Sequence, residues 1–160
     1  MTPLMVRSTA GRYVTASKED VLRALAALLA QELPKGSLLD SPGATRRFIM
    51  DAYGARDSEV FCMITMDTRH RLIRVHELFY GTIDGASVHP REVVKTALQE
   101  NASAVIFFHN HPSGVCDPSQ ADELITARLK GALALVDIRV LDHMIVGGGK
   151  IASFAERGLI

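Results

Sequence analysis

Apolar positions along the chain repeat with two periods, and together they outline the fold. After Ser17-Lys18-Glu19-Asp20, which has the form of a capping box, Val21, Leu25, Leu28 and Leu29 recur at i, i+4, i+7 and i+8 and predict an amphipathic helix docked on the core. Ser41-Pro42 reads as an N-cap followed by proline at the first helical position, and opens a helix to about Tyr53. The unbroken apolar run Val60 to Met66, the polar turn Asp67 to Arg71 and the strand Leu72 to Tyr80 predict a hairpin. Pro90 to Gln99 is a helix and Ala104 to His109 a buried strand. Ser119 to Leu135 is a second long helix, with Ile125, Leu129, Ala132, Leu133 and Val136 at helical spacing. A strand from Ile138 to Val146, a turn at Gly147 to Gly149 and a short strand from Lys150 to Phe154 complete a mixed α/β chain of the α+β type. Residues 1–16 carry no period and read as a loose arm. Pro34-Lys35-Gly36-Ser37 reads as a linker.

Composition narrows the class. A chain of 160 residues with 48% hydrophobic content is long enough for one self-sufficient core. Eighteen basic side chains balance eighteen acidic ones, so no excess positive charge is available to hold a phosphate backbone, and direct nucleic-acid binding is not expected. Two cysteines, Cys62 and Cys116, are too few for a disulfide scaffold, and no secretory leader is evident at the start, so a reducing cytoplasm is the expected location. The longest apolar stretch, Val21 to Ala30, is too short for a membrane span.

The candidate chemistry sits in His109-Asn110-His111-Pro112-Ser113-Gly114 and in Ser119 and Asp122 beyond it. Two histidines at i and i+2 face one way only on extended backbone, which the preceding strand supplies, and Asp122 falls in the first turn of the helix that follows. His109, His111 and Asp122 are the three protein ligands a catalytic zinc takes, the fourth position being left to water. Strict alternation along Leu72 to Tyr80 places Glu77 with the apolar Ile73, Val75 and Phe79. A carboxylate on a core face needs a proton, a cation or a bound water, so Glu77 is the candidate general base for amide hydrolysis. Ser119 is the candidate donor to the developing oxyanion.

Glu77, then His109-x-His111, seven residues, Ser119, two residues and Asp122 reproduce the motif of the JAMM metalloproteases (JAB/MPN domain), which the chain resembles. The text Glu77 to Thr82, Val88 to Val93, His109 to Gly114 and Leu141-Asp142-His143 is similar, more narrowly, to the bacterial RadC family, over roughly residues 40 to 160. The resemblance implies a JAMM fold, a cytidine-deaminase-like mixed β-sheet flanked by helices, at 41–160, with an N-terminal arm and helical extension at 1–40. It implies one Zn2+ per chain on His109, His111 and Asp122, with Glu77 as acid/base and Ser119 as oxyanion donor. The expected activity is that of a zinc metallopeptidase or isopeptidase acting on a protein or peptide. The competing reading is a binding module for DNA repair or mobile elements, associated with DNA-processing proteins and keeping a structural zinc.

Three further positions have rival readings. Ser119-x-x-Asp122 is also a capping box, and a cap and a metal ligand are compatible roles for one carboxylate. His143, beside Asp142 in a strand, reads as a structural hydrogen-bonding residue. Cys116, five residues beyond His111, is a soft ligand that could close the fourth zinc position. A nucleoside deaminase is excluded, since neither His-x-Glu nor Pro-Cys-x-x-Cys occurs.

Overall fold

The computed structural model describes residues 3–8, 10–32, 42–81 and 88–160. The linker expected at 34–37, the Ser41 cap and the Leu29 side chain lie outside the described residues. Among the described residues, seven strands and four helices follow one another as β1 (Met5–Arg7), β2 (Tyr13–Thr15), α1 (Lys18–Glu32), α2 (Pro42–Tyr53), β3 (Val60–Met66), β4 (Leu72–Tyr80), α3 (Pro90–Gln99), β5 (Ala104–Asn110), α4 (Gln120–Ala134), β6 (Arg139–Gly147) and β7 (Lys150–Ser153).

Five strands form one mixed sheet in the order β4-β3-β5-β6-β7, in which only β5 and β6 are parallel. That parallel pair requires a crossover, and α4 provides it. Strands β3 and β5 are buried along their whole length, which is why both read as continuous apolar runs and not as alternating ones. One face of the sheet packs Cys62, Ile64, Ile106 and Phe108 against Phe48, Ile49 and Tyr53 of α2 and Ala26 of α1. The other packs Phe61, Met63 and Phe107 against Val93 and Ala97 of α3 and Ile125, Leu129 and Leu133 of α4. The expected α/β architecture is the one observed.

Two expectations at the N-terminus need correction. Residues 1–16 are expected to be a loose arm, but their described residues form a hairpin: β1 and β2 pair antiparallel, Met5 with Thr15 and Arg7 with Tyr13, around a turn at Gly11 whose φ of 76° suits glycine. The hairpin left no hydrophobic signal because its side chains stay mostly exposed. In α1 the Ser17–Asp20 cap forms, with Ser17 Oγ accepting the Asp20 N–H at 3.1 Å and the Ser17 N–H bonding the Asp20 carboxylate at 2.9 Å. Yet Val21, Leu25 and Leu28 remain exposed, and the buried contact is made by Ala26. A methyl side chain lets α1 approach closely, so the docking face lies off the leucine stripe.

The position of Glu77 is the larger correction. Strand β4 pairs with β3 and not with β5, so β3 separates Glu77 from His109. The pairing also slips at the end of β4: Phe61 faces Phe79, but the next residue, Cys62, faces Glu77, and Leu78 is the extra residue of a bulge. A second slip lies between Thr65 and Met66. The two bulges split the alternating set, leaving Ile73 and Phe79 on the α3–α4 face and turning Val75 and Glu77 towards α1 and α2. There Glu77 accepts from Arg56 at 2.8 Å and from the Tyr80 hydroxyl at 2.8 Å. The need of a half-buried carboxylate for a cation is met by a guanidinium that is itself fully buried and also pairs with Glu19 at 2.7 Å.

Candidate metal centre

The ligand-type side chains gather at one end of the sheet, where β5 runs out beside its parallel neighbour. His109 stands on the α3–α4 face, its ring stacked on Phe61 at 6.0 Å, and His111 lies just past the strand, its N–H bonded to the Val146 carbonyl at 2.8 Å. The extended backbone sends both imidazoles the same way, and their Nε2 atoms are 2.9 Å apart. Asp122 comes from the first turn of α4, with Oδ1 3.2 Å from His109 Nε2 and Oδ2 3.8 Å from His111 Nε2. Asp122 is also the far half of a capping box. Ser119 Oγ accepts its N–H at 3.2 Å, while the Ser119 hydroxyl and N–H donate to Oδ2 at 2.6 and 2.8 Å. Capping therefore occupies Oδ2 and leaves Oδ1, buried and without a hydrogen-bond donor, directed at the histidines.

A carboxylate that strand periodicity did not single out completes the group. Glu59, the residue before β3, offers an oxygen that lies with the ring nitrogens of His109 and His111 inside a cluster no wider than 4.8 Å; these three residues could hold a metal ion. Antiparallel pairing explains its arrival, since the start of β3 sits beside the end of β5 and Phe61 faces His109. Asn110 explains its precision. Alternation turns this side chain to the face opposite His109, where its oxygen accepts the Val60 N–H at 2.9 Å and its amide donates to the Ser58 carbonyl at 3.0 Å. The peptides on both sides of Glu59 are thus gripped from between the two histidines. The signal available in the sequence was a charged residue abutting the run Val60 to Met66. Cys116 is not in the group that could hold an ion among the described residues.

Electrostatics suit a cation. Burial pushes the His109 imidazole below its ordinary pKa and outweighs the opposing pull of Asp122. Burial works against the Asp122 charge, but His109 and the Ser119 hydroxyl and N–H hold its carboxyl well below the usual range. The His111 Nδ1 lies 2.6 Å from the Val115 carbonyl, which can only accept, so the proton of a neutral ring sits there and Nε2 carries a lone pair. Zinc ligands at 2.0 to 2.2 Å in a tetrahedron stand roughly 3.4 Å apart, and the separations among His109, His111 and Asp122 bracket that value. The donor set fits such an ion. A cleft of about 590 Å³ opens onto the group, walled by Asp57, Ser58 and Glu59 and by His111, Ser113 and Ser119.

A family model described as the RadC-like JAB domain matches residues 39–159. The chain belongs to that family. It is 58% identical over 133 residues to a UPF0758 protein of Marinobacter nauticus, covering 83% of this chain and 59% of the relative. It is 60% identical over 132 residues to a UPF0758 protein of Nitrosococcus oceani, with 82% and 59% covered, and 56% identical over 132 residues to one of Vibrio cholerae, with the same shares. The chain thus spans about 59% of the length of these curated relatives. Among the described residues, no helix of this RadC-like chain is long and apolar enough to cross a membrane.

Proposed function

We propose that this RadC-like JAB domain is a zinc-dependent hydrolase of peptide or isopeptide bonds. One Zn2+ per chain is held by His109, His111 and Asp122, and Glu59 is the acid/base in place of Glu77. The observation that carries the reading is the convergence of the two Nε2 atoms and Asp122 Oδ1 within 3.2 Å of His109 Nε2, where lone pairs and a carboxylate face one another in a buried site. With both imidazole protons on Nδ1 that arrangement is repulsive without a cation, and with one it is a coordination shell.

When bound, zinc supplies Lewis-acid chemistry, polarising a carbonyl and making water acidic enough to lose a proton near neutral pH. The residues of the chain do the rest. Glu59, set by Asn110, accepts a proton from water in the cleft and returns it to the leaving amine nitrogen. Ser119 lines the cleft beside Asp122, and its hydroxyl turns from Oδ2 to the developing oxyanion. The cleft walls offer backbone and small polar groups suited to an extended peptide, and the JAB/MPN fold includes metalloproteases. Balanced charge gives no electrostatic basis for a nucleic-acid substrate.

The test is zinc content and peptide turnover of the chain beside His109→Ala and Glu59→Gln. About one zinc per chain in the wild type and Glu59→Gln, lost in His109→Ala, together with turnover in the wild type alone, is the expected result. A wild type that retains no zinc after exposure to it would overturn the reading.

A further inference from the structure

His109 has a second nitrogen, and it enters a buried hydrogen-bond chain that the proposed hydrolysis does not use. His109 Nδ1 lies 2.9 Å from His143 Nε2, His143 Nδ1 lies 2.6 Å from Thr126 Oγ1, and the Thr126 hydroxyl donates to the Asp122 carbonyl at 2.5 Å. His109, His143 and Thr126 are all buried. Phe154 stacks on the His143 ring at 4.8 Å and Phe61 meets it edge-on at 5.4 Å, so the ring plane is set by packing.

The last bond in this chain dictates the others. A carbonyl can only accept, so the single Thr126 proton goes to Asp122, and Oγ1 must accept from an N–H at His143 Nδ1. A fully buried ring with no carboxylate among its hydrogen-bond partners is neutral and holds one proton. His143 Nε2 is therefore bare and accepts from the N–H at His109 Nδ1. His109 in turn is bare at Nε2, the atom that faces His111 and Asp122. Thr126 lies one helical turn after Asp122, so one hydroxyl registers the ligand helix α4, the ligand strand β5 and the intervening β6 together.

We infer that Thr126 and His143 are positioning residues that impose the Nδ1–H tautomer on His109 and so present its Nε2 lone pair to a divalent metal ion. The inference rests on the metal-site reading above, with His109 as a ligand. Removing the Thr126 oxygen leaves His143 Nδ1–H without an acceptor. The favourable arrangement then reverses: His143 carries its proton on Nε2, donates to His109 Nδ1, and His109 carries its own proton on Nε2, pointing into the site.

The experiment combines imidazole ¹⁵N NMR on the metal-free chain with zinc titration against a chromophoric chelator, for wild type, Thr126→Ser, Thr126→Val and His143→Gln. The expected spectra show His109 and His143 protonated at Nδ1 in wild type and Thr126→Ser, and at Nε2 in Thr126→Val. Zinc affinity is expected to fall about 10- to 100-fold in Thr126→Val and to be kept by Thr126→Ser. Gln at 143 can accept from His109 and donate to Thr126, so that variant keeps most of the affinity. If the wild type binds zinc and Thr126→Val binds it equally well, or if His109 shows the same tautomer in both, the inference is overturned while the metal site stands. A wild type that binds no zinc overturns both.

Discussion

Asn110 grips the backbone on both sides of Glu59, bonding the Val60 N–H and the Ser58 carbonyl from a position between the two histidines. One short strand end therefore supplies two ligands on one face and the clamp for the acid/base on the other. Asn110→Ala leaves both backbone groups buried without that partner, and the expected loss is about 2–3 kcal/mol. Urea unfolding of the metal-free chain measures it. Zinc affinity should change much less, because His109 and His111 keep their own hydrogen bonds. A loss below half a kcal/mol would show that the Glu59 segment is held by something else.

Glu77 and Glu59 make opposite demands on the chain. Glu77→Gln removes a charge from the fully buried Arg56, and the expected destabilisation is on the order of 3 kcal/mol, moderated by Glu19, with zinc content unchanged. Glu59→Gln should leave Arg56 paired and stability close to wild type while abolishing turnover. Thermal melts and turnover on the same two proteins decide the matter. Loss of turnover in a folded Glu77→Gln with Glu59→Gln still active would reverse the assignment.

These two carboxylates show where the sequence can be read and where it cannot. The elements of the domain were readable because their cause is local: β3, β4 and α3 fall where the apolar runs and Pro90 put them, and His109 and His111 share a side because a strand end is extended. Asp122 joined them because a capping residue must lie in the first turn of α4. The face of Glu77 was not readable. It depends on the two register slips that bracket it, at Ile73 and at Leu78, and a bulge changes which side chains share a face without leaving a mark in the pattern. Nor was Glu59, which reaches the site only through the antiparallel pairing of β3 with β5, a long-range contact. The exposed hairpin β1–β2 and the Ala26 docking face of α1 escaped for a related reason: neither puts large apolar side chains in a periodic stripe.

Gly148 sets the second histidine from a distance. A Cβ added at Gly148 would meet the Gly114 carbonyl oxygen at 2.5 Å, and its φ of 56° is already in the left-handed region. That close approach holds the loop in which Val115 accepts from His111 Nδ1. Gly148→Ala should cost about 3 kcal/mol and weaken zinc binding roughly tenfold, because displacing the Gly114 carbonyl also moves the adjacent Val115, whose carbonyl orients His111. Gly149→Ala is the control. Its φ is 73°, but a Cβ there meets nothing within 4 Å, so a cost of about 1 kcal/mol with zinc affinity intact is expected. Equal effects at the two glycines would remove the case for the Gly114 contact.

The metal-free chain should lose stability as the pH falls below the ordinary imidazole value of 6.5. Burial pushes His109, His143 and His76 below that value, so between it and their folded values the unfolded chain binds more protons than the folded one. Stability then rises with pH across this window, by up to about 1.4 kcal/mol per unit for each group. Asp122 acts in the same direction, but its contribution is lost only as the pH falls below the usual carboxylate value of 3.8, so it cannot account for a change near pH 6. Urea midpoints in the presence of a chelator, at about pH 7.5 and about pH 5.5, should separate clearly. His143→Gln, which removes one buried imidazole while keeping its hydrogen bonds, should reduce the separation. A wild-type midpoint that does not move over this range would mean that the buried imidazoles gain protons as readily in the folded chain as in the unfolded one.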